Sequence, residues 1–176
     1  MNIFILNTGR CGSTTFIKAC SHISNYTAGH ETQTNRLNLQ RILYPNNHIE
    51  ADNRLSWFLG RLDEQYGDDA FYVHLKRDPD DTINSFIKRM DYGIMRAYKQ
   101  GILMDDTPLS DRKSYASDYL HTVTSNIELF LKDKTHKMNF QLEDHQQDFS
   151  IFFHAINAEG NLALALEEWQ TAHNAS

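Results

Sequence analysis

The stretch 6–15, LNTGRCGSTT, constrains the fold of this chain more than any other part of the sequence, because it joins an apolar run to a segment with helical spacing. The preceding run, Ile3–Leu6, is short and wholly apolar, as in a buried strand. From Ser13 onward apolar residues recur at the spacing of a helix face, and Ser13 is the predicted N-cap. Two glycines let the backbone curl closely around a bound group. Arg10 supplies a cation, and the hydroxyls of Ser13, Thr14 and Thr15 supply hydrogen-bond donors. This composition at a helix start predicts an anion-binding loop; the alternative is an ordinary capped turn with a surface arginine.

Two familiar phosphate-binding loops do not fit this stretch. The Walker nucleotide loop, GxxxxGK[ST], needs a lysine before its hydroxyl residue and more residues between its glycines than GRCGST offers. A cysteine phosphatase needs an arginine soon after its nucleophile, and none occurs between Cys11 and Ile17. Cys11 is therefore predicted to be a small loop residue, although its position at a helix start is one that can lower the pKa of a thiol.

Apolar runs and helical patterns alternate along the rest of the chain. Strands are predicted over residues 3–6, 25–28, 48–51, 70–75 and 138–142. Helices are predicted from residue 13 and over residues 36–44, 55–66, 79–90, 115–132, 149–156 and 162–171. This alternation predicts one α/β domain over residues 1–176, with a central, mostly parallel sheet between two helical layers. Ligands of such sheets bind beyond the carboxyl ends of the strands.

A second strand-to-helix turn carries polar residues at a comparable place. In HLKRDPDDTINSF, residues 74–86, Arg77 leaves the end of a predicted strand and Ser85 follows eight residues later. About two helical turns would put Ser85 on a face that can be reached from the helix start. Alone, the pattern also fits a plain strand-to-helix turn with an exposed serine. Together with the first loop, it predicts a ligand with two separated anionic groups.

These two segments resemble the donor-binding motifs of sulfotransferases. The sequence RCGST, residues 10–14, is similar to their 5′-phosphosulfate loop, usually PKSGTT or PRSGST, and the segment from Arg77 to Ser85 is similar to their 3′-phosphate motif. The resemblance covers residues 3–90 and implies a P-loop-like three-layer α/β/α fold. It implies the donor 3′-phosphoadenosine-5′-phosphosulfate (PAPS), the product 3′-phosphoadenosine-5′-phosphate (PAP), and no metal. The implied donor-binding residues are Arg10, Cys11, Gly12, Ser13, Thr14, Thr15, Arg77 and Ser85.

The family also needs a base for the acceptor hydroxyl. Cytosolic members use a histidine, whereas the tyrosylprotein and bacterial glycolipid branches use a glutamate, which in the tyrosylprotein branch lies in a GEET-like segment after the first helix. Gly29-His30-Glu31-Thr32 stands in the matching place, so the resemblance implies Glu31 as the catalytic base, with His30 as the alternative. Arg10 stands where cytosolic members have a catalytic lysine, as it does in the two glutamate-using branches, and is implied to stabilise charge.

The chain departs from the family in its second half. It lacks the C-terminal glycine-rich segment that helps to hold the 3′-phosphate in cytosolic members, and it is short, which leaves less protein for an acceptor pocket. Residues 91–114, with Tyr92, Tyr98 and Lys99, have little pattern and form either a mobile cover over the acceptor or an irregular surface connection. A small molecule, glycan, lipid or peptide would each present a hydroxyl acceptor to the same base.

Composition narrows the partners and the compartment. The net charge of −6 argues against nucleic acid as a partner. We expect no signal peptide and no transmembrane segment, because the sequence shows neither pattern. Two cysteines, Cys11 and Cys20, suit a reducing cytoplasm, and the scattered histidines, including His22, His48 and His74, predict no metal site.

Two other functions remain open from the sequence. One is phosphate transfer by a divergent P-loop kinase, against which the missing Walker lysine argues. The other is a nucleotide-binding module that has kept the fold without turnover. A carboxylate at Glu31 favours an enzyme.

Overall fold

The computed structural model describes residues 1–107 and 111–171. Its strands are β1 (Ile3–Leu6), β2 (Thr27–His30), β3 (His48–Ala51), β4 (Phe71–Lys76) and β5 (Lys137–Gln141). They form one sheet in the order β2-β3-β1-β4-β5, and every pairing between neighbouring strands is parallel. Because β1 is the central strand, the loop that follows it opens at the middle of the sheet's carboxyl edge. The predicted mostly parallel sheet is confirmed.

Helices cover both faces of this sheet. They are α1 (Ser13–Cys20), α2 (Leu59–Tyr66), α3 (Pro79–Ile87), α4 (Gly93–Ala97), α5 (Arg112–Leu131), α6 (His145–Ala155) and α7 (Leu162–Glu167). Ile3 and Ile5 of β1 pack with α1, α6 and α7 in one core, while Phe4 and Leu6 pack with α2–α5 in the other. All four side chains are fully buried, as expected for a parallel strand covered on both sides. The α/β prediction with helices on both faces is therefore confirmed.

The predicted helix over residues 36–44 is wrong. Only Asn38–Arg41 are helical, and they form a short 3-10 turn. The turn begins at Asn38 with a φ of 52°, a left-handed conformation that a right-handed helix does not contain. Arg41 points inward, where its Nη2 atom ion-pairs with Oδ2 of the fully buried Asp52 at 2.7 Å.

Several element boundaries also differ from the predictions. Strand β2 begins two residues later than predicted, so Gly29 and His30 end the strand. Helix α2 begins at Leu59, because Asp52 caps a separate 3-10 turn over Asn53–Trp57. The segment 91–107, which had little sequence pattern, contains α4 and a π-helical turn over Tyr98–Ile102.

Candidate functional site

A cleft of about 630 Å³ lies at the carboxyl edge of the sheet. Its floor is the loop between β1 and α1. One end lies above β2 and β3, and the other lies above β5, on the opposite side of the sheet's central strand. At the β2–β3 end the cleft is lined by His30, Glu31, Asn53 and Arg54. The opposite end is lined by Leu142, Glu143, His145, Trp169 and Thr171, which follow β5. The residues that continue from α3 into α4, from Phe86 to Met95, contribute the remaining side.

The β1–α1 loop curls through three left-handed residues, Gly9 (φ 91°), Arg10 (φ 62°) and Gly12 (φ 85°). Gly12 is the N-cap residue of α1 and no side chain caps the helix, so the predicted capping role of Ser13 is wrong. The first intrahelical bond runs from Phe16 N to Gly12 O (3.0 Å), and the preceding amides of the first turn belong to the group that a helix leaves unpaired. Unpaired amides and the positive end of the helix dipole are the features on which the predicted anion-binding loop depends.

Arg10 joins the two motifs that the sequence singled out. Its Nε atom donates a hydrogen bond to Ser85 Oγ (2.8 Å), and its carbonyl oxygen accepts one from Arg77 Nη1 (3.4 Å). Arg77 also ion-pairs with Asp81 through its Nη2 atom (3.2 Å). The structure therefore brings Arg10, Arg77 and Ser85 together at one point of the cleft edge.

Positive charge is concentrated at this point. The pKa of the Arg10 guanidinium lies below its ordinary value, first because the side chain is partly buried and then because of the charges on Arg89 and Arg77. Arg77 and Arg89 both line the cleft with Arg10. Like charges that repel one another in a partly buried cleft are relieved by a multiply charged anion.

Cys11 lies beneath the loop. Its side chain is 2% exposed, and its Sγ atom contacts Thr8 Oγ1 and Gly9 O, each at 3.3 Å. Burial raises the pKa of this thiol, so the suggestion that its position lowers the pKa is wrong. Since the side chain faces the core, only the backbone of Cys11 is available to a ligand in the cleft.

The segment Gly29-His30-Glu31-Thr32 crosses from β2 into the cleft. A Cβ atom on Gly29 would lie 2.4 Å from Thr32 Cγ2 and 3.0 Å from Glu50 Oε2, so only glycine fits there. His30 Nε2 lies 3.0 Å from Ser13 Oγ, which links this segment to the β1–α1 loop. Thr32 donates two hydrogen bonds to Glu50, from its amide and from its hydroxyl, both of 2.7 Å.

Glu31 has a φ of 55°, an uncommon conformation for glutamate that costs about 1–2 kcal/mol. Its amide donates a hydrogen bond to Ala51 O (3.0 Å), and its carbonyl accepts one from Thr34 Oγ1 (2.7 Å). Its Oε2 atom lies 2.9 Å from Arg54 Nη1, a contact that is an ion pair rather than an aligned hydrogen bond. The side chain is 35% exposed and lines the cleft, where it can reach a ligand.

Sequence reasoning missed the residues that follow β3 and β5. Asn53 and Arg54 come directly after β3, and His145 follows β5 closely, so the rule that selected the ends of β1 and β4 would also have selected these ends. Trp169 reaches the cleft from the turn after α7, beside His145 at a ring-centroid distance of 5.3 Å. No sequence pattern marked it.

Of the three residues named in the segment 91–114, only one lines the cleft. Tyr92 lines the cleft. Tyr98 and Lys99 are buried instead: the Tyr98 hydroxyl bonds to Asp118 (2.5 Å), and Lys99 Nζ bonds to backbone oxygens within its own segment. Residues 108–110 of the predicted cover lie outside the described residues.

Across residues 1–107 and 111–171, no group of three or more histidine, cysteine, aspartate or glutamate side chains is arranged to hold a metal ion. Within the same ranges, no helix has both the length and the apolar character needed to span a membrane.

Comparison with solved structures identifies a similar fold. The chain is similar to the sulfotransferase domain from the curacin biosynthetic pathway, with a TM-score of 0.64 and 16% sequence identity. The similarity covers 97% of this chain and 78% of that domain. No protein-family model matches the chain, and no curated protein matches it. The structural comparison thus shows a sulfotransferase-like fold over nearly the whole chain.

Proposed function

We propose that this protein is a PAPS-dependent sulfotransferase that transfers a sulfuryl group to a hydroxyl acceptor. The observation that carries the proposal is the meeting of both predicted anion motifs at Arg10, which contacts Ser85 and Arg77. A plain capped turn would not need a second cationic turn beside it. A donor with phosphates at both ends of a ribose would use both.

The donor would lie along the carboxyl edge of the sheet. The amides and hydroxyls of residues 12–15 would hold the 5′-phosphosulfate at the N-terminus of α1. Arg77 and Ser85 would hold the 3′-phosphate. Because β5 adjoins β4 in the sheet, we assign the adenine to the end of the cleft lined by His145 and Trp169.

The acceptor would enter from the other end, where Glu31 lies. Its hydroxyl oxygen attacks sulfur and forms a new S–O bond, while the bond from sulfur to the 5′-phosphate oxygen breaks and its electron pair stays on that oxygen. The acceptor proton passes to Glu31. Arg10 and the loop amides stabilise the negative charge on the leaving phosphate and on the transferring group. The products are the sulfated acceptor and PAP.

Glu31 is preferred to His30 as the base because of their surroundings. His30 Nε2 is engaged by Ser13 Oγ, whereas the Glu31 carboxylate pairs with Arg54 through Oε2 and keeps Oε1 for a ligand in the cleft. The remaining side of the cleft has apolar and aromatic groups in Tyr92, Ile94 and Met95, which suit the body of a small molecule, lipid or aromatic peptide side chain as well as a sugar face. The kinase alternative gains no support from these contacts, since the residue before Ser13 is a left-handed glycine and not a Walker lysine.

The test is transfer of labelled sulfuryl from PAPS to a panel of a phenol, a tyrosine amide, a disaccharide and a long-chain alcohol. Glu31→Gln keeps the size of the side chain but cannot accept the proton, so turnover with the responding acceptor should fall roughly 10²–10⁴-fold. PAP affinity and the melting temperature should stay near wild type, because other residues hold the donor. His30→Asn, the paired variant, should lose less.

Two results would contradict this assignment in different ways. An active Glu31→Gln with an inactive His30→Asn would make the histidine the base. A wild-type protein that binds PAP but transfers to no acceptor would favour the non-catalytic module.

A further inference from the structure

We propose that Arg54 is a positioning residue for Glu31, held in place by the buried carboxylate of Asp52. This inference rests on the proposed function, in which Glu31 takes the acceptor's proton. The motifs that resemble those of sulfotransferases do not include Arg54. Its assignment comes from the contacts that surround it.

Asp52 anchors the turn that carries Arg54. Its side chain is fully buried, and its Oδ1 atom accepts a hydrogen bond from the Arg54 amide (2.8 Å). Its Oδ2 atom accepts one from Arg41 Nη2 (2.7 Å). A buried carboxylate with partners on both oxygens fixes the backbone around it, since losing either bond would leave a buried polar group unpaired.

The same carboxylate also reaches the Glu31 turn. Thr34 Oγ1 lies 3.4 Å from Asp52 Oδ2 and donates a 2.7 Å hydrogen bond to Glu31 O. On the other side of Glu31, Thr32 is held by two hydrogen bonds to Glu50. The backbone of Glu31 is therefore fixed on both sides through the carboxylates of Glu50 and Asp52, at the end of the neighbouring strand β3. This explains how an unfavourable φ persists there.

Fixing the backbone still leaves the long Glu31 side chain free to rotate. Arg54 Nη1 engages Oε2 at 2.9 Å, so the side chain is directed along the cleft and Oε1 is left for the acceptor hydroxyl. Both partners are about one-third exposed, which means that a substitution at Arg54 removes this contact without opening a core. A base that is held in a reactive geometry contributes to turnover and not to donor binding.

A double-mutant cycle on turnover tests this role, with labelled PAPS and the acceptor that responds best in the panel. Arg54→Gln should lower kcat roughly 10- to 100-fold, with PAP affinity and melting temperature unchanged. In the Glu31→Gln background the same substitution should change the residual kcat by less than about twofold, because the residue through which it acts has already been disabled.

Two further variants complete the design. Arg54→Lys keeps a cation at this position and should recover part of the activity. Arg36→Gln removes an exposed arginine of the nearby surface segment and should leave the activity unchanged.

Each contrary outcome has a distinct meaning. Independent losses from Arg54→Gln and Glu31→Gln would overturn the positioning role. A raised acceptor KM with unchanged kcat would make Arg54 an acceptor-binding residue, and a lower melting temperature or weaker PAP binding would make it structural. If wild type transfers to no acceptor, the proposed function itself fails and this role fails with it.

Discussion

Arg77 shows at the scale of one residue how the proposed 3′-phosphate site would accommodate an anion. In the structure its guanidinium pairs with Asp81, but both side chains are substantially exposed, at 30% and 59%. Exposed pairs of this kind are worth only about 0–1 kcal/mol. A phosphate placed beside Arg77 would therefore displace Asp81 at little cost and gain a bidentate partner.

Arg77→Ala should weaken PAP binding by about 2–4 kcal/mol, the range for removing one partner of a hydrogen-bonded charge pair. Binding of a nucleotide without a 3′-phosphate, such as ADP, should change little. Titration calorimetry with both ligands measures the difference. Equal losses for PAP and ADP would show that Arg77 supports the loop rather than the 3′-phosphate.

At the scale of elements, the β1–α1 loop and the start of α3 could be predicted because their chemistry is local. Glycines, hydroxyls and an arginine next to a strand specify a loop without knowledge of its neighbours. The pairing of Glu31 with Arg54 could not be predicted in this way. It depends on β2 lying beside β3 at the sheet edge, and the sequence does not specify that strand order.

The helix predicted over residues 36–44 is wrong because local spacing misleads there. Its apolar residues happen to have helical spacing, yet Leu39 and Leu43 are exposed while Ile42 and Tyr44 are buried. The tertiary contact between Arg41 and Asp52 outweighs the local helical preference. Spacing alone carries no information about such a partner.

Gly12→Ala tests the geometry of the loop. A side chain there must adopt a φ of 85°, and its Cβ would lie 2.7 Å from Leu142 Cδ1. The left-handed conformation costs about 1–2 kcal/mol of unfolding free energy, and PAP binding should weaken because the loop shifts. Gly60→Ala is the control: it lies in α2 with no atom within 4 Å of the added Cβ, and should stabilise the protein by about 0.5–1 kcal/mol. Urea denaturation and calorimetry give both quantities, and an unaffected Gly12→Ala would refute the loop geometry.

At the scale of the whole molecule, the sheet separates two cores. A buried histidine of the sheet, His74, faces the side that α5 covers. His74 of β4 is 2% exposed, and its Nδ1 atom has no hydrogen-bond partner among the described residues. Burial lowers the pKa of His74 to about 4, with a smaller contribution from Lys76. The folded protein therefore keeps this imidazole neutral at pH values where an unfolded chain would protonate it.

This difference makes stability depend on pH. Between the ordinary histidine pKa of 6.5 and the folded pKa of about 4, the unfolded chain binds a proton that the folded protein does not, so stability falls as the pH falls through this window. The full loss of unfolding free energy attributable to His74 is about 3 kcal/mol. Urea denaturation at neutral pH and near pH 4, the folded pKa, measures this loss, and His74→Gln should reduce it. His154→Gln, on the exposed surface of α6, should leave it unchanged. A His74→Gln variant with the pH dependence of wild type would contradict the assignment.

The central claim is that the cleft selects an adenine nucleotide that carries a 3′-phosphate. Titration calorimetry of the wild-type protein with PAP, ADP and ATP, with and without Mg²⁺, tests it most directly. PAP should bind roughly 30- to 700-fold more tightly than ADP, the equivalent of one charge-assisted phosphate contact, and Mg²⁺ should make no difference. Tighter binding of ATP than of PAP, with a requirement for Mg²⁺, would contradict the sulfotransferase account and favour a kinase.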